Sequence, residues 1–402
     1  MRTNIFRFFA VALCLMTAMS CLEDDSRTIM LASGVRSTNI PSDSDAEPNP
    51  YVSSNNTSIP NFQHSVEIDG GYTVIRIDMT GVQTPDGDYI RLVGTGGANG
   101  EAQNVWIEID DQPKGIIVQN NADNPGNVAV QNDFVFLVDN SGSMSEEADA
   151  IARDIVQWAQ KLSTKLDVRF GCVGYGYYVG SQYWSLTDNY GIAGALNMTT
   201  YEQLSNYLNG RGKSGTACTV GYEGEGASQL KSAAQTDFYN RAGGECGAQA
   251  LLFADTYFNF RKNANRIYVN FTDDANYPAG NKNISVEIVN STKWDSSRGT
   301  VHTVFSGNRS NVYNVASSGL GESPWLMSEY TGGSIIDVPS NFSGVNLDIL
   351  PVTAAMQNSY VIRFTNVEQL MDGCYHTIEV TIKSADGRVR ATKRFSIKFD
   401  EM

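Results

Sequence analysis

Asp133-Phe134-Val135-Phe136-Leu137-Val138-Asp139-Asn140-Ser141-Gly142-Ser143-Met144 is the stretch that decides how this chain folds. Five apolar residues run together and stop at Asp-x-Ser-x-Ser. A continuous apolar run of that length, closed by polar turn residues, is the pattern of a strand buried on both faces. A helix is predicted to follow. Ser145 is a capping residue type, and Glu146 and Glu147 place acids in the first turn. Ile151, Ile155, Ala159 and Leu162 then repeat on one stripe, with Ala148, Ala152 and Val156 beside it. One carboxylate and two hydroxyls are thereby set at the carboxyl end of a central strand, where open α/β sheets bind ligands. Asp139, Ser141 and Ser143 are hard oxygen donors, suited to Mg²⁺, Mn²⁺ or Ca²⁺ rather than zinc or copper. Gly142 is expected to give the loop the freedom to aim both hydroxyls at one point. Three donors cannot fill an octahedral shell, so other loops must add oxygens.

Two further stretches extend this pattern. Arg266-Ile267-Tyr268-Val269-Asn270-Phe271 reads as a second buried strand, ending in Thr272-Asp273-Asp274. Ahead of it, Gly243-Gly244-Glu245-Cys246 precedes a helical stretch from about Ala248 to Phe260. Between them and the first strand, Val168 to Gly176 reads as another central strand. It runs into Tyr175, Tyr177, Tyr178, Tyr183 and Trp184, which either anchor a partner at the mouth of the site or pack under a loop.

Taken in order, these motifs resemble the metal-ion-dependent adhesion site of von Willebrand factor A (VWA) domains, over roughly Asp133 to Gln357. The resemblance implies an α/β fold: a doubly wound, mostly parallel sheet with helices on both faces. It implies that Ser141 and Ser143 hold a divalent cation directly and that Asp139 and Asp273 hold it largely through water. Mg²⁺ is the expected ion, with Ca²⁺ or Mn²⁺ as the alternatives. The family's metal-binding Thr falls here on Glu245 or Cys246. Glu245 is the better ligand for a hard ion, although its charge would weaken the ion's pull on a partner carboxylate. Thr216 and Thr219, in the preceding insertion, are the alternative hydroxyls.

Residues 1–20 read as a secretion leader, with Arg2 and Arg7 ahead of an apolar core and small residues at its end. The apolar run is too short for a permanent membrane span. Cys21 follows at once, and the junction resembles the lipobox of bacterial lipoproteins, which implies a lipidated Cys21. Leu22-Glu23-Asp24-Asp25 resembles the acidic export signal of Bacteroidetes surface lipoproteins, which implies an outer-membrane protein facing outwards. Ser26 to Pro60, rich in Ser, Asn, Asp and Pro, is expected to form a disordered tether within residues 21–60. The chain carries a formal net charge of −15. That excludes a nucleic-acid-binding surface of clustered Lys and Arg. It also leaves a lipid anchor rather than charge to hold the protein at an anionic membrane.

Residues 61–131 alternate as an all-β module, with strands at Tyr72–Met79, Tyr89–Val93, Val105–Ile109 and Ile116–Val118. Asp86, Asp88, Asp110 and Asp111 in its turns are read as turn chemistry. Residues 132–357 form the α/β domain, and 358–402 return to strands, with Asp386-Gly387 as a hairpin turn. One β-sandwich assembled from both ends of the chain is expected, with two separate β modules as the alternative. The insertion from Arg211 to Asn240 precedes Gly243 and is expected on the metal face, where a Cys218–Cys246 disulfide would pin it. Cys172 reads as a buried strand residue.

The function these features imply is a surface-anchored, metal-dependent adhesion module that engages a partner's Asp or Glu. A structural subunit of a surface fibre with a purely structural metal is the second reading. A metal-assisted hydrolase is the third. The only histidines, His64, His302 and His376, lie in no nucleophile or zinc motif, so no enzyme activity is expected.

Overall fold

A computed structural model describes residues 37–399, apart from 70, 98–99, 124–130, 146, 179–189, 210–218, 239–241, 292–293 and 343–350. The leader, Cys21 and its acidic neighbours lie outside the described residues. In chain order the strands are β1 (Phe62–Asp69), β2 (Tyr72–Met79), β3 (Val105–Ile109), β4 (Gln112–Pro113), β5 (Ile117–Asn120), β6 (Asn132–Asp139), β7 (Val168–Tyr178), β8 (Tyr190–Thr199), β9 (Gly221–Glu223), β10 (Asn265–Thr272), β11 (Thr300–Phe305), β12 (Ile335–Asp337), β13 (Tyr360–Phe364), β14 (Tyr375–Lys383) and β15 (Arg390–Lys398). The α-helices are α1 (Ala148–Ser163), α2 (Tyr201–Asn209), α3 (Ala227–Thr236), α4 (Gly247–Tyr257), α5 (Arg309–Ser317), α6 (Leu326–Thr331) and α7 (Pro351–Gln357).

The seven-stranded sheet has the order β12-β11-β10-β6-β7-β8-β9. Its first five strands are parallel. β8 runs antiparallel to β7, and β9 parallel to β8. All of β6 is buried, and its side chains alternate between two cores. Phe134, Phe136 and Val138 pack with α1 and α2 on one face. Val135 and Leu137 pack with α3 and α4 on the other. The sheet is mixed, with helices on both faces. Helix α1 buries Ile151, Ile155, Ala159 and Leu162 as expected, together with Trp158. Each large apolar side chain so buried contributes about 1.5–3 kcal/mol. The helix start differs from expectation. Ser145 belongs to a 3₁₀ turn, Gly142–Ser145. Glu147 occupies the capping position and accepts a hydrogen bond from Ser306 Oγ at 3.1 Å.

The remaining strands form two four-stranded antiparallel sheets, β1-β2-β13-β5 and β15-β14-β3-β4. β13 lies between β2 and β5, and β14 between β3 and β15, so each sheet draws strands from both ends of the chain. They share one core that includes Ile75, Ile77, Ile107, Ile362, Val380 and Ile397. The α/β unit is therefore an insertion between the halves of one sandwich, and two independent β modules are ruled out. The expected strand at Tyr89–Val93 does not form. Side-chain carbonyls of Asn120 and Asn104 accept from the amides of Leu92 (2.9 Å) and Val93 (2.8 Å), replacing a ladder.

The expected tether is a second correction. From Asp43 onward the chain is laid along the sandwich. Asp43 pairs with Lys114 at 3.0 Å, and Asn49 N–H donates to Glu108 at 2.8 Å. Asn55 and Asn56 exchange backbone and side-chain hydrogen bonds with Arg390 and Thr392 on the edge of β15. Side-chain amides that mimic a strand hold a segment too poor in apolar groups to build a core of its own.

The sandwich joins the α/β unit at the amino ends of β10 and β11. Asn61 N–H donates to Thr331 O, and its side-chain amide donates to Gly299 O, both at 2.9 Å. Lys393 Nζ on β15 donates to Ile59 O, Asn61 Oδ1 and Tyr330 O, each at 3.1 Å. Among the described residues no helix is long and apolar enough to cross a membrane.

Candidate metal centre

β6 and β10 are neighbours, so Asp139 and Thr272 end side by side at the carboxyl edge of the sheet. The chain leaves β6 for β7 on one side, while β10 flanks the other, which makes this edge a switch point of the sheet. Asp139 is fully buried. Its Oδ1 accepts from Ser141 N–H at 2.8 Å and its Oδ2 from Thr272 Oγ1 at 2.9 Å. Ser141 Oγ lies 2.9 Å from Ser143 Oγ, and Ser143 Oγ donates to Asp273 Oδ1 at 3.0 Å. Ser141 is buried and Ser143 exposed, so the cluster opens to solvent through the second hydroxyl. Gly142 uses no left-handed backbone; the 3₁₀ turn itself aims the hydroxyls.

Glu245 enters from the Gly243–Cys246 turn. Gly243 N–H donates to Tyr277 O at 2.9 Å, and Tyr277 N–H to Glu245 O at 2.8 Å, tying this turn to the loop that carries Asp273. Gly176, with φ +73°, makes room: a Cβ there would sit 2.6 Å from Asp139 Oδ1 and 3.2 Å from Glu245 Cγ. Only glycine takes that backbone conformation at no steric cost, and no side chain fits the space.

Thr219 is buried, and its hydroxyl donates to Asn140 Oδ1 rather than reaching the serines. Thr216 lies outside the described residues. The Cys218–Cys246 disulfide is not supported: Cys246 is a free, buried thiol donating to Ile284 O at 3.4 Å, and Cys218 lies outside the described residues. Cys172 is buried in β7 as expected. Tyr175 is no aromatic of the mouth. It is buried, and its hydroxyl donates to Asn270 Oδ1 at 2.7 Å. The side chains of Tyr177, Tyr178, Tyr183 and Trp184 lie outside the described residues.

Electrostatically the cluster is one-sided. Burial first, then the charge of Glu245 and that of Asp273, push the Asp139 carboxyl up to about 8. Burial and neighbouring acids also raise Glu245 and Asp273. Among the described residues no Lys or Arg pairs with these three acids. Nor do three His, Cys, Asp or Glu side chains converge there as a ready-made metal cage. The donor set is mixed, with hydroxyls standing between the carboxylates. Hard oxygens at the end of two strands, with no base to balance them, fit a hard divalent cation.

Sequence reading missed three of these positions. Asn270 is a polar residue within an apolar strand, and Gly176 a glycine near a strand end, and both signals were visible. The Asn140–Thr219 contact spans 79 residues and left no local trace.

No family model matches the chain, and no curated relative matches it. Among solved structures it is similar to proximal thread matrix protein 1 from the mussel byssus, at 12% identity and TM-score 0.29, over 62% of this chain and 49% of that one. The chain thus spans about half the length of that protein. It is also similar to the three N-terminal domains of the type V pili tip protein Mfa5 from Porphyromonas gingivalis, at 8% identity and TM-score 0.27, over 86% and 79% of the two chains.

Proposed function

We propose that the chain is a divalent-cation-dependent adhesion module of the VWA type, held at the cell surface by a lipid on Cys21. Ser141, Ser143, Asp139, Asp273 and Glu245 would hold the ion, and the ion would supply an electrophilic position for an oxygen of a protein partner, an exposed Asp or Glu side chain in the first instance. One observation carries the reading: the Ser141–Ser143–Asp273 chain of contacts, closed on the buried Asp139, with no basic group among the described residues to offset its acids. The histidines favour binding over hydrolysis. His64 meets Lys398 O and His376 meets two aspartates, both in the sandwich, while His302 lies within β11 and accepts from Ser334 N–H.

The test is calorimetric titration of residues 37–402 with Mg²⁺, Ca²⁺ and Mn²⁺. The segment before Asn61 is retained because it packs on the sandwich. Saturable binding that disappears in Ser141→Ala/Ser143→Ala, with the metal-free melting temperature unchanged, supports the proposal. Absence of binding by all three ions overturns it. An ion that binds and raises the melting temperature, while an immobilised acidic peptide is held equally well with chelator, transfers the case to a purely structural metal.

A further inference from the structure

Strand β10 is buried along nearly its whole length, yet it places Asn270, fully buried, in the middle of the sheet. Packing alone does not call for an amide there, since a buried polar group costs free energy unless it is satisfied. Its contacts show what it joins. Asn270 Oδ1 accepts from the Tyr175 hydroxyl at 2.7 Å, and Tyr175 is the register partner of Asp139 across β6 and β7. The same phenol lies against the Thr272 hydroxyl, which donates to Asp139 Oδ2 at 2.9 Å. Its amide nitrogen has no hydrogen-bond partner among the described residues and lies close to the first residue of α4. A Cβ on Gly247 would sit 2.9 Å from both terminal atoms of the amide. Glu245 lies two residues before that contact.

We infer that Tyr175 and Asn270 are positioning residues: a buried polar relay, Asp139–Thr272–Tyr175–Asn270, that fixes the orientation of the Asp139 carboxylate and seats the start of α4 so that Glu245 faces it. The inference rests on the proposed cation site and adds to it two residues that touch no ion. Partners of this kind hold ligating side chains in orientation, and their loss typically weakens metal binding 10- to 100-fold.

The experiment compares Tyr175→Phe and Tyr175→Phe/Asn270→Leu with the unaltered protein, residues 37–402. Mg²⁺ and Mn²⁺ are titrated calorimetrically, and the metal-free melting temperature is measured alongside. The single change strands the Asn270 amide and lowers the melting temperature. The double change removes the stranded group and restores it, because replacing both partners of a buried hydrogen bond by apolar groups is nearly neutral. The relay predicts that ion affinity stays tenfold or more below the parent in the double variant although its stability has returned. A double variant that binds within threefold of the parent overturns the relay and leaves the cation site standing. No binding by the parent overturns both. Should the double variant fail to fold, Tyr175→Phe alone, which removes the donor to Asn270, is titrated instead against the same tenfold and threefold limits.

Discussion

Asp139→Asn should make the metal-free protein more stable at neutral pH, although it alters the most buried acid of the site. In the folded chain the Asp139 carboxyl titrates near 8, against an ordinary value of 3.8, because burial disfavours its charge and Glu245 and Asp273 repel it. The sign follows directly. Between these values the folded state keeps a proton that the unfolded state releases. The contribution of Asp139 to stability is therefore greatest below pH 4, declines as pH rises, and is fully lost above pH 8. The slope is about 1.4 kcal/mol per pH unit, or about 4 kcal/mol between pH 5 and pH 8. Asparagine carries no titrating charge and can still accept from Ser141 N–H. Urea unfolding in chelator at pH 5 and pH 8, followed by tryptophan fluorescence, measures the effect. The parent should lose about 4 kcal/mol more than the variant over that range. Saturating Mg²⁺ should flatten the parent's dependence and leave the variant's unchanged. Equal pH slopes for the two proteins in chelator would refute the account of Asp139 as an uncompensated buried acid.

Three further outcomes are expected. Arg261 donates to the fully buried Asp133 through its side chain (2.8 Å) and its backbone N–H (2.7 Å). Arg261→Ala keeps the backbone donor but removes the counter-ion of a buried carboxylate, and should cost about 3–5 kcal/mol in urea unfolding; the double change with Asp133→Asn should recover part of the loss. His376 is pulled down by burial but raised more by hydrogen bonds to Asp110 and Asp372, for a net upward shift. Its stabilisation is therefore fully present below the unfolded value of about 6.5 and lost as pH rises through the folded value, and His376→Gln should abolish that part of the sandwich's pH dependence as followed by hydrogen exchange. Lys393→Met should leave three acceptors at the domain junction without their donor and cost about 1–3 kcal/mol, with faster exchange confined to residues 59–63 and 326–332.

The parts of this molecule that were legible in its sequence are those governed by short-range periodicity. The unbroken apolar run from Phe134 to Val138 specified a strand covered on both faces, and the stripe from Ile151 to Leu162 specified α1. Tyr72–Met79 and Val105–Ile109 were bounded correctly because their flanking turns carry Gly or charged residues. The site residues Asp139, Ser141, Ser143 and Asp273 meet because two adjacent parallel strands end together. Illegible were features made by distant contacts. Tyr89–Val93 has strand composition, but two asparagine side chains took its amides. Ser37 to Pro60 has the composition of a linker, yet asparagines bind it to an edge strand that lies more than 300 residues further along the chain. Cys246 reads in the sequence as half of a disulfide; its thiol is buried and donates to Ile284 O, while Cys218 lies outside the described residues.

The position of the sandwich gives this arrangement its sense. It abuts the amino ends of β10 and β11, whereas Asp139, Ser143 and Asp273 lie at the carboxyl edge of the same sheet. The described junction at Asn61 therefore lies on the side of the sheet opposite the candidate site. Because residues 43–61 are bound along the sandwich, residues 22–42 are the most that would separate a Cys21 lipidated as proposed above from the bound segment. At about 3.4 Å per residue that separation is at most about 70 Å when fully extended, instead of the roughly 130 Å that a free segment to Pro60 would allow. Reach towards a partner would then depend on the length of the folded body, with the sandwich as a stalk fixed by Asn61 and Lys393. Loosening that junction should change how the site is presented without changing its affinity for a cation.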